Sequence, residues 1–406
     1  MQERERIMGH SEPGLERIVR VEPPKHHFTL LRNPDGDYLG SEDGERLELF
    51  DHVDDKAIWE QLESDTFGHP ASSIELHSDP HHDGHLLSRA GIKVGADANP
   101  SEEAATYTAH HGPALMPSDY LATFQENGWV CLASILSPDI VDELERVACC
   151  GRWSDREYDR ETPLLNQTTA FAQAAVEPVS LWLIRQYLST EEIRLAHSPG
   201  LAVLTPDDGK RDVQGWHSDF PYLWGITRKR DNDQRIPAGM SGELSMGVQR
   251  NICVSEFTRE NGATCFKLGT HVLNSGPPTE WGTGSIYAQR GHRAAHGLPY
   301  QGPEADIVEA PAGSIILYDA RTWHRAGVNR TDQRRAAILQ AMTPSFLMPF
   351  GDTSQPYKQF IKGPIIDQLL SRDQKDFAEL MVHKVIGPGG MGAITVDKEL
   401  TGLVQS

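Results

Sequence analysis

Between residues 201 and 342, short apolar runs alternate with turns rich in Gly, Pro and Asn: 201–204, 246–254, 263–268, 307–309, 314–318 and 336–342. Runs this short with long connections predict the strands of a sandwich or jelly roll rather than a parallel sheet. Helical spacing flanks them. Ser118 can cap a helix carrying Tyr120, Leu121 and Phe124, with Gly128 as its stop, and 129–132 follows as a strand. Ser137-Pro138 opens a second helix with Ile140, Val141, Leu144 and Val147 on one face, and 179–188 reads as another. Beyond Pro349 the helical pattern returns with Ile365, Leu369 and Leu370, then Phe377, Leu380 and Met381.

Residues 1–115 differ in kind. They hold the turn Asn33-Pro34-Asp35-Gly36, short strand-like runs at 28–31 and 46–50, and a stretch rich in His, Asp and Ser. They also hold −13 of the chain's formal charge of −20. At 406 residues the chain exceeds what one hydrophobic core usually organises. The expected division is an acidic N-terminal extension (1–115), a main domain (116–345) and a helical C-terminal segment packed on it (346–406).

The negative charge argues against nucleic acid and anionic membrane surfaces as partners. No run approaches the roughly 20 apolar residues that span a bilayer. The charged start Met1-Gln2-Glu3-Arg4 is unlike a signal peptide, so a cytoplasmic location is expected. Five cysteines without zinc-type spacing predict buried free thiols rather than disulfides.

The strongest chemical signal is Trp216-His217-Ser218-Asp219-Phe220. In a strand, residues two apart share a face, so His217 and Asp219 point together. One imidazole and one carboxylate make two corners of a metal site, and a second histidine from a distant strand completes a facial triad with open positions. His324 is the candidate, on a segment that follows the turn Pro311-Ala312-Gly313. Beyond it, Arg334-Arg335 heads the next apolar run, where an arginine could hold a carboxylate through paired hydrogen bonds.

Histidine pair, carboxylate and trailing arginine occur in the chain order of the phytanoyl-CoA dioxygenase family, which this sequence resembles over residues 116–345. The segment around His217 is similar to that of the bacterial ectoine hydroxylase branch. Asn261-Gly262-Ala263-Thr264 and Gly269-Thr270-His271 resemble the family's turn-and-strand segment. The resemblance implies a double-stranded β-helix, a cupin-like jelly roll that is mainly β with flanking helices. It implies His217, Asp219 and His324 as ligands of Fe(II), and Arg335, rather than Arg334, as partner of the distal carboxylate of 2-oxoglutarate. The strand at 201–205 lacks the polar residues that relatives place near that co-substrate, and Asn251 is the candidate substitute.

The implied activity consumes O2 and 2-oxoglutarate, releases succinate and CO2, and oxidises a small-molecule substrate. Retention of Asp219 favours hydroxylation over halogenation. Desaturation, epimerisation, endoperoxide formation and a non-catalytic metal-binding role stay open, as do substrate identity and oligomeric state.

Other features carry less. His77-Ser78-Asp79 repeats the His-x-Asp spacing but lies in a stretch without strand character, which predicts a solvated loop. Gly387-Pro388-Gly389-Gly390-Met391-Gly392 lacks the preceding strand of a dinucleotide fingerprint. Tyr222, Trp224 and Arg228 follow the candidate metal strand and are the candidate substrate contacts, in a basic segment that could cover the site. The connection 272–302, with His292 and His296, is long enough for a lid.

Overall fold

A computed structural model describes residues 16–64, 66–81, 84–89, 106–219, 245–273, 276–281, 291–298, 304–347, 349 and 351–381. Strand β1 (Glu16–Arg20) is followed by β2 (Thr29–Arg32), β3 (Tyr38–Gly40), β4 (Glu48–Phe50), β5 (Glu60–Glu63), β6 (Thr66–Gly68), β7 (Glu75–His81), β8 (Gly84–Arg89) and β9 (Thr106–His111). Strands β2 to β9 form an eight-stranded sheet in the order β4-β3-β2-β9-β8-β7-β6-β5. The extension is therefore more regular than its turn-rich sequence suggests. His77 and Asp79 lie in β7, paired with β8, so the expected solvated loop there is corrected to a strand. Its apolar residues are too sparse to signal one, and cross-strand pairing supplies what propensity does not.

Helices α1 (Pro117–Asn127), α2 (Pro138–Ala148), α3 (Ala170–Ala175) and α4 (Pro178–Leu188) come next, with β10 (Trp129–Leu132) between the first two. Proline occupies the first turn of α1, α2 and α4, where its missing N–H would have no helical partner. The cap residue of α1 is Met116 and not Ser118, because Pro117 already starts the helix. Gly128 ends α1 with φ of 69°, and a Cβ there would fall 2.4 Å from the His271 ring. Only glycine meets both conditions.

The main domain adds β11 (Ile193–Leu195), β12 (Gly200–Leu204), β13 (Val248–Cys253), β14 (Cys265–Lys267), the short α5 (His292–His296), β15 (Ala305–Glu309), β16 (Ile315–Asp319), β17 (Trp323–Arg325) and β18 (Arg335–Pro344). Two facing sheets result. The larger runs β10-β16-β13-β18-β11, with β12 also on β18, and the smaller runs β1-β15-β14-β17. This is the expected mainly β jelly roll with flanking helices. Helices α6 (Ser354–Phe360) and α7 (Ser371–Leu380) close the described chain.

Alternation along β13 sorts its side chains between two cores. Val248 and Ile252 join Ile315, Leu317, Ile338 and the helices, whereas Cys253 joins Ile316, Tyr318 and Ala337 in the second cluster, with Phe266 from the smaller sheet. Asn251 and Gln249 have the parity of Cys253 and so belong to the side of the second cluster.

The N-terminal extension does not stand apart from this body. Its strand β1 pairs in parallel with β15, with Glu16 opposite Ala305, and so extends the smaller sheet. Leu30, Tyr38, Val53, Ala57 and Ile58 pack into the main core, while Leu31, Leu39, Trp59, Phe67, Ile74 and Leu76 form a cluster of their own. Arg32 pairs with Asp373 of α7 at 2.6 Å, both side chains buried. All five cysteines are free thiols, four of them buried. Among the described residues, no helix is long and apolar enough to cross a membrane.

Candidate metal centre

His217 and His324 face each other across an isolated antiparallel bridge, each backbone N–H donating to the other's carbonyl at 2.9 Å. The ring centroids are 4.1 Å apart. The Asp219 N–H donates to the Ala320 carbonyl at 3.0 Å, which draws the carboxylate to the same point. Asp219 Oδ2 lies 3.2 Å from His324 Nε2, and Oδ1 lies 3.6 Å from His217 Nε2. Ligand atoms of the three residues all fall within 4.8 Å of one another, the only such group of three or more among the described residues.

The far side of each ring fixes its tautomer. His217 Nδ1 donates to the Gly215 carbonyl at 2.9 Å and His324 Nδ1 to the Thr322 carbonyl at 3.0 Å. A proton on Nδ1 leaves Nε2 of the neutral ring as the donor atom toward the shared centre. Burial, reinforced by the charge of His324, pushes His217 down to about 4. Burial opposes ionisation of Asp219, but the charge and hydrogen bond of His324 outweigh it and hold the carboxyl at about 2. Burial also works against protonated His324, yet Asp219 raises it above the ordinary histidine range. An ionised carboxylate between two imidazoles suits a divalent cation, and two histidines with one aspartate are the donor chemistry of non-haem iron(II).

The triad opens on a cavity of about 450 Å³ that also receives Arg335, Asn251, Thr264, Gln249, Tyr318, Gln214 and the apolar Leu204 and Leu339. Arg335 starts β18 and is 8% exposed. Its Nη2 donates to the Gly262 carbonyl at 2.8 Å, its guanidinium lies 4.6 Å from the Phe257 ring centroid, and its Nε is buried without a partner. Gly262 sits at φ of 84°, where a Cβ would come within 2.6 Å of Leu204 and 2.9 Å of the Asn329 nitrogen. Burial pulls Arg335 down to about 10. A buried guanidinium whose Nε has no partner, lining the metal cavity, fits a ligand carboxylate.

Arg334, one residue earlier, turns the other way: its Nη1 donates to the carbonyls of Cys149 and Ser154. Asn251 Nδ2 donates to Thr264 Oγ1 at 3.2 Å. The structure thus brings His217, Asp219, His324, Arg335 and Asn251 to one cavity. Tyr222, Trp224 and Arg228 lie outside the described residues, as do the basic segment around them and the glycine run at 387–392. His296 is exposed, and Trp281 from the same connection meets Trp216 and Trp323 edge to face.

Thr264, Gln249 and Tyr318 escaped the sequence reading. For Gln249 the signal was available, since it lies two residues from Asn251 and shares its face. For Tyr318 there was none, because pairing of β16 with β13 decides what it meets; for Thr264, just before β14, the available signal was its place in the family-like segment Asn261-Gly262-Ala263-Thr264.

Residues 151–337 match the family described as Phytanoyl-CoA dioxygenase (PhyH). Among curated proteins, a dioxygenase, OlcK, of Penicillium canescens is 29% identical over 150 residues, 36% of this chain and 39% of that protein. An uncharacterized protein of Mycobacterium tuberculosis is 30% identical over 113 residues, 28% of this chain and 34% of that one. The matched segments thus span only about a third to two fifths of these relatives. A crystal structure of the epimerase SnoN with Fe3+, alpha-ketoglutarate and a nogalamycin compound aligns with a TM-score of 0.39 and 15% identity over 58% of this chain and 87% of that one. The segment that matches the phytanoyl-CoA dioxygenase family, 151–337, is the one that carries His217, Asp219, His324 and Arg335.

Proposed function

We propose that the protein is an Fe(II)- and 2-oxoglutarate-dependent dioxygenase that hydroxylates an unactivated carbon of a small molecule, with release of succinate and CO2. The observation that carries this reading is the meeting, in one cavity, of a two-histidine, one-aspartate donor set with the incompletely satisfied guanidinium of Arg335. His217 Nε2, Asp219 and His324 Nε2 would hold the metal. Arg335 would take the distal carboxylate of 2-oxoglutarate, with Thr264, Asn251 and Tyr318 as further polar groups on the wall.

Bound there, iron(II) with 2-oxoglutarate supplies the activation of O2 and an oxidant strong enough to take hydrogen from carbon. The chain supplies the rest. Backbone carbonyls of Gly215 and Thr322 keep both imidazoles in the donor tautomer. Apolar Ala202, Leu204 and Leu339 line the cavity and limit its water. In the net reaction the substrate C–H gains one oxygen atom of O2, the other enters succinate, and 2-oxoglutarate loses CO2.

The test is anaerobic loading of the full chain with Fe(II) and 2-oxoglutarate, admission of O2, and quantification of succinate, with a metabolite library followed by mass spectrometry. The expected result is His324-dependent succinate formation and a product heavier by one oxygen. Products lighter by two hydrogens, or unchanged in mass but inverted at a centre, would replace hydroxylation by desaturation or epimerisation. No succinate under any of these conditions would overturn the oxygenase reading.

A further inference from the structure

Both the aspartate and the second histidine of the metal centre are oriented by one turn. The turn follows β16 and closes with the Thr322 N–H donating to the Asp319 carbonyl at 2.9 Å. Its Ala320 carbonyl accepts from the Asp219 N–H at 3.0 Å, and its Thr322 carbonyl accepts from His324 Nδ1 at 3.0 Å. The position of these two carbonyls sets where Asp219 enters and which nitrogen of His324 carries the proton.

The turn is held from behind by a buried carboxylate. Asp319 is fully buried, and its Oδ1 accepts from the Arg321 N–H at 2.8 Å and from Arg321 Nε at 2.9 Å. Its Oδ2 accepts from Arg321 Nη2 at 2.7 Å and from the Tyr187 hydroxyl at 2.8 Å. Tyr187 belongs to α4 and stacks on Phe124 of α1, ring centroids 3.9 Å apart and planes within 10°. The Asp319 N–H donates to the Gly128 carbonyl at the end of α1. Two helices on the outer side of the larger sheet therefore reach, through one carboxylate, the turn beneath two of the three metal donors.

We propose that Asp319, held by Tyr187 and Arg321, is a positioning residue for the metal centre. Its carboxylate fixes the 319–322 turn so that the Ala320 and Thr322 carbonyls present Asp219 and His324 to one cation. The inference rests on the reading of His217, Asp219 and His324 as a metal site. Residues that hold metal ligands in place change metal affinity or activity by roughly 10- to 100-fold when altered. Asp319→Asn keeps the side-chain shape but turns one of its oxygens into an NH2 group facing the donors of Arg321 or Tyr187. Tyr187→Phe removes a single hydroxyl.

The experiment titrates the full-length, metal-free protein with Co(II) alone, reading the visible ligand-field absorption, and measures Tm for each variant. Asp319→Asn is expected to bind Co(II) about 10-fold or more weakly, with a changed absorption band. Tyr187→Phe is expected to shift affinity in the same direction by less, and it decides the matter if the asparagine variant does not fold. Lowered Tm with unchanged Co(II) affinity and unchanged band in the folded variants would overturn the proposal, leaving Asp319 as support for the fold alone. If the unsubstituted protein gives no Co(II) band, or one that survives His324→Ala, the metal reading itself fails and this inference falls with it.

Discussion

Arg335→Ala tests the co-substrate site most directly, because the structure separates its effect on binding from its effect on folding. The guanidinium is buried, with one hydrogen bond to the Gly262 carbonyl, one unpartnered Nε and the Phe257 ring beneath it. Without ligand the side chain carries a desolvation penalty that one carbonyl and a ring face only partly offset. Truncation removes that penalty and leaves the Gly262 carbonyl short of a donor, a loss of about 1 kcal/mol. Tm without 2-oxoglutarate should therefore change little.

Binding should change much more. Loss of a charge-assisted pair in a buried site costs on the order of 2–5 kcal/mol. At 1.4 kcal/mol per decade, that is roughly a 30- to several-thousand-fold rise in the 2-oxoglutarate concentration needed for half-maximal succinate formation. The same loss should abolish the rise in Tm that 2-oxoglutarate gives the metal-loaded parent, since stabilisation by a ligand follows its affinity. Arg334→Ala should leave the 2-oxoglutarate requirement within about twofold, because that side chain bonds Cys149 and Ser154 away from the cavity. Unaltered 2-oxoglutarate dependence in Arg335→Ala, or a larger effect in Arg334→Ala, would refute the reasoning.

Three further outcomes follow. His217→Ala, Asp219→Ala and His324→Ala should each lose stoichiometric Fe(II) in metal analysis, whereas His77→Ala should keep it. Arg32→Ala should destabilise by about 3–5 kcal/mol in urea denaturation, since it strands buried Asp373 without its partner at 2.6 Å; a loss below about 1 kcal/mol would show that the extension docks weakly. Asp376, raised to about 7 by burial and by neighbouring Glu379 and Asp373 against the pull of Arg372 and Arg185, binds its proton more tightly folded than unfolded. Its contribution to stability should therefore be greatest below the ordinary carboxyl range and fall as pH rises from about 4 to 7, and Asp376→Asn should flatten that slope in thermal melts across this window.

Much of the site was legible in the sequence because its chemistry follows strand parity. His217 and Asp219 share a face at spacing two, and the next strand must start with its arginine inward if the following apolar residues are to alternate correctly. The strands of the larger sheet were legible for the same reason: short apolar runs end at turns whose residues, such as Gly128 and Gly262, adopt backbone angles few others accept. What joins residues far apart in sequence was not legible. No periodicity in residues 1–115 tells that Glu16 lies opposite Ala305, or that Arg32 pairs with Asp373, because such pairings depend on which surfaces meet after collapse. Nor could spacing reveal Asp319, one more strand-end acid until folding sets it beneath the turn that carries Ala320 and Thr322. Local pattern fixes which way each side chain points, whereas only the packing of helices and sheets decides what it meets there.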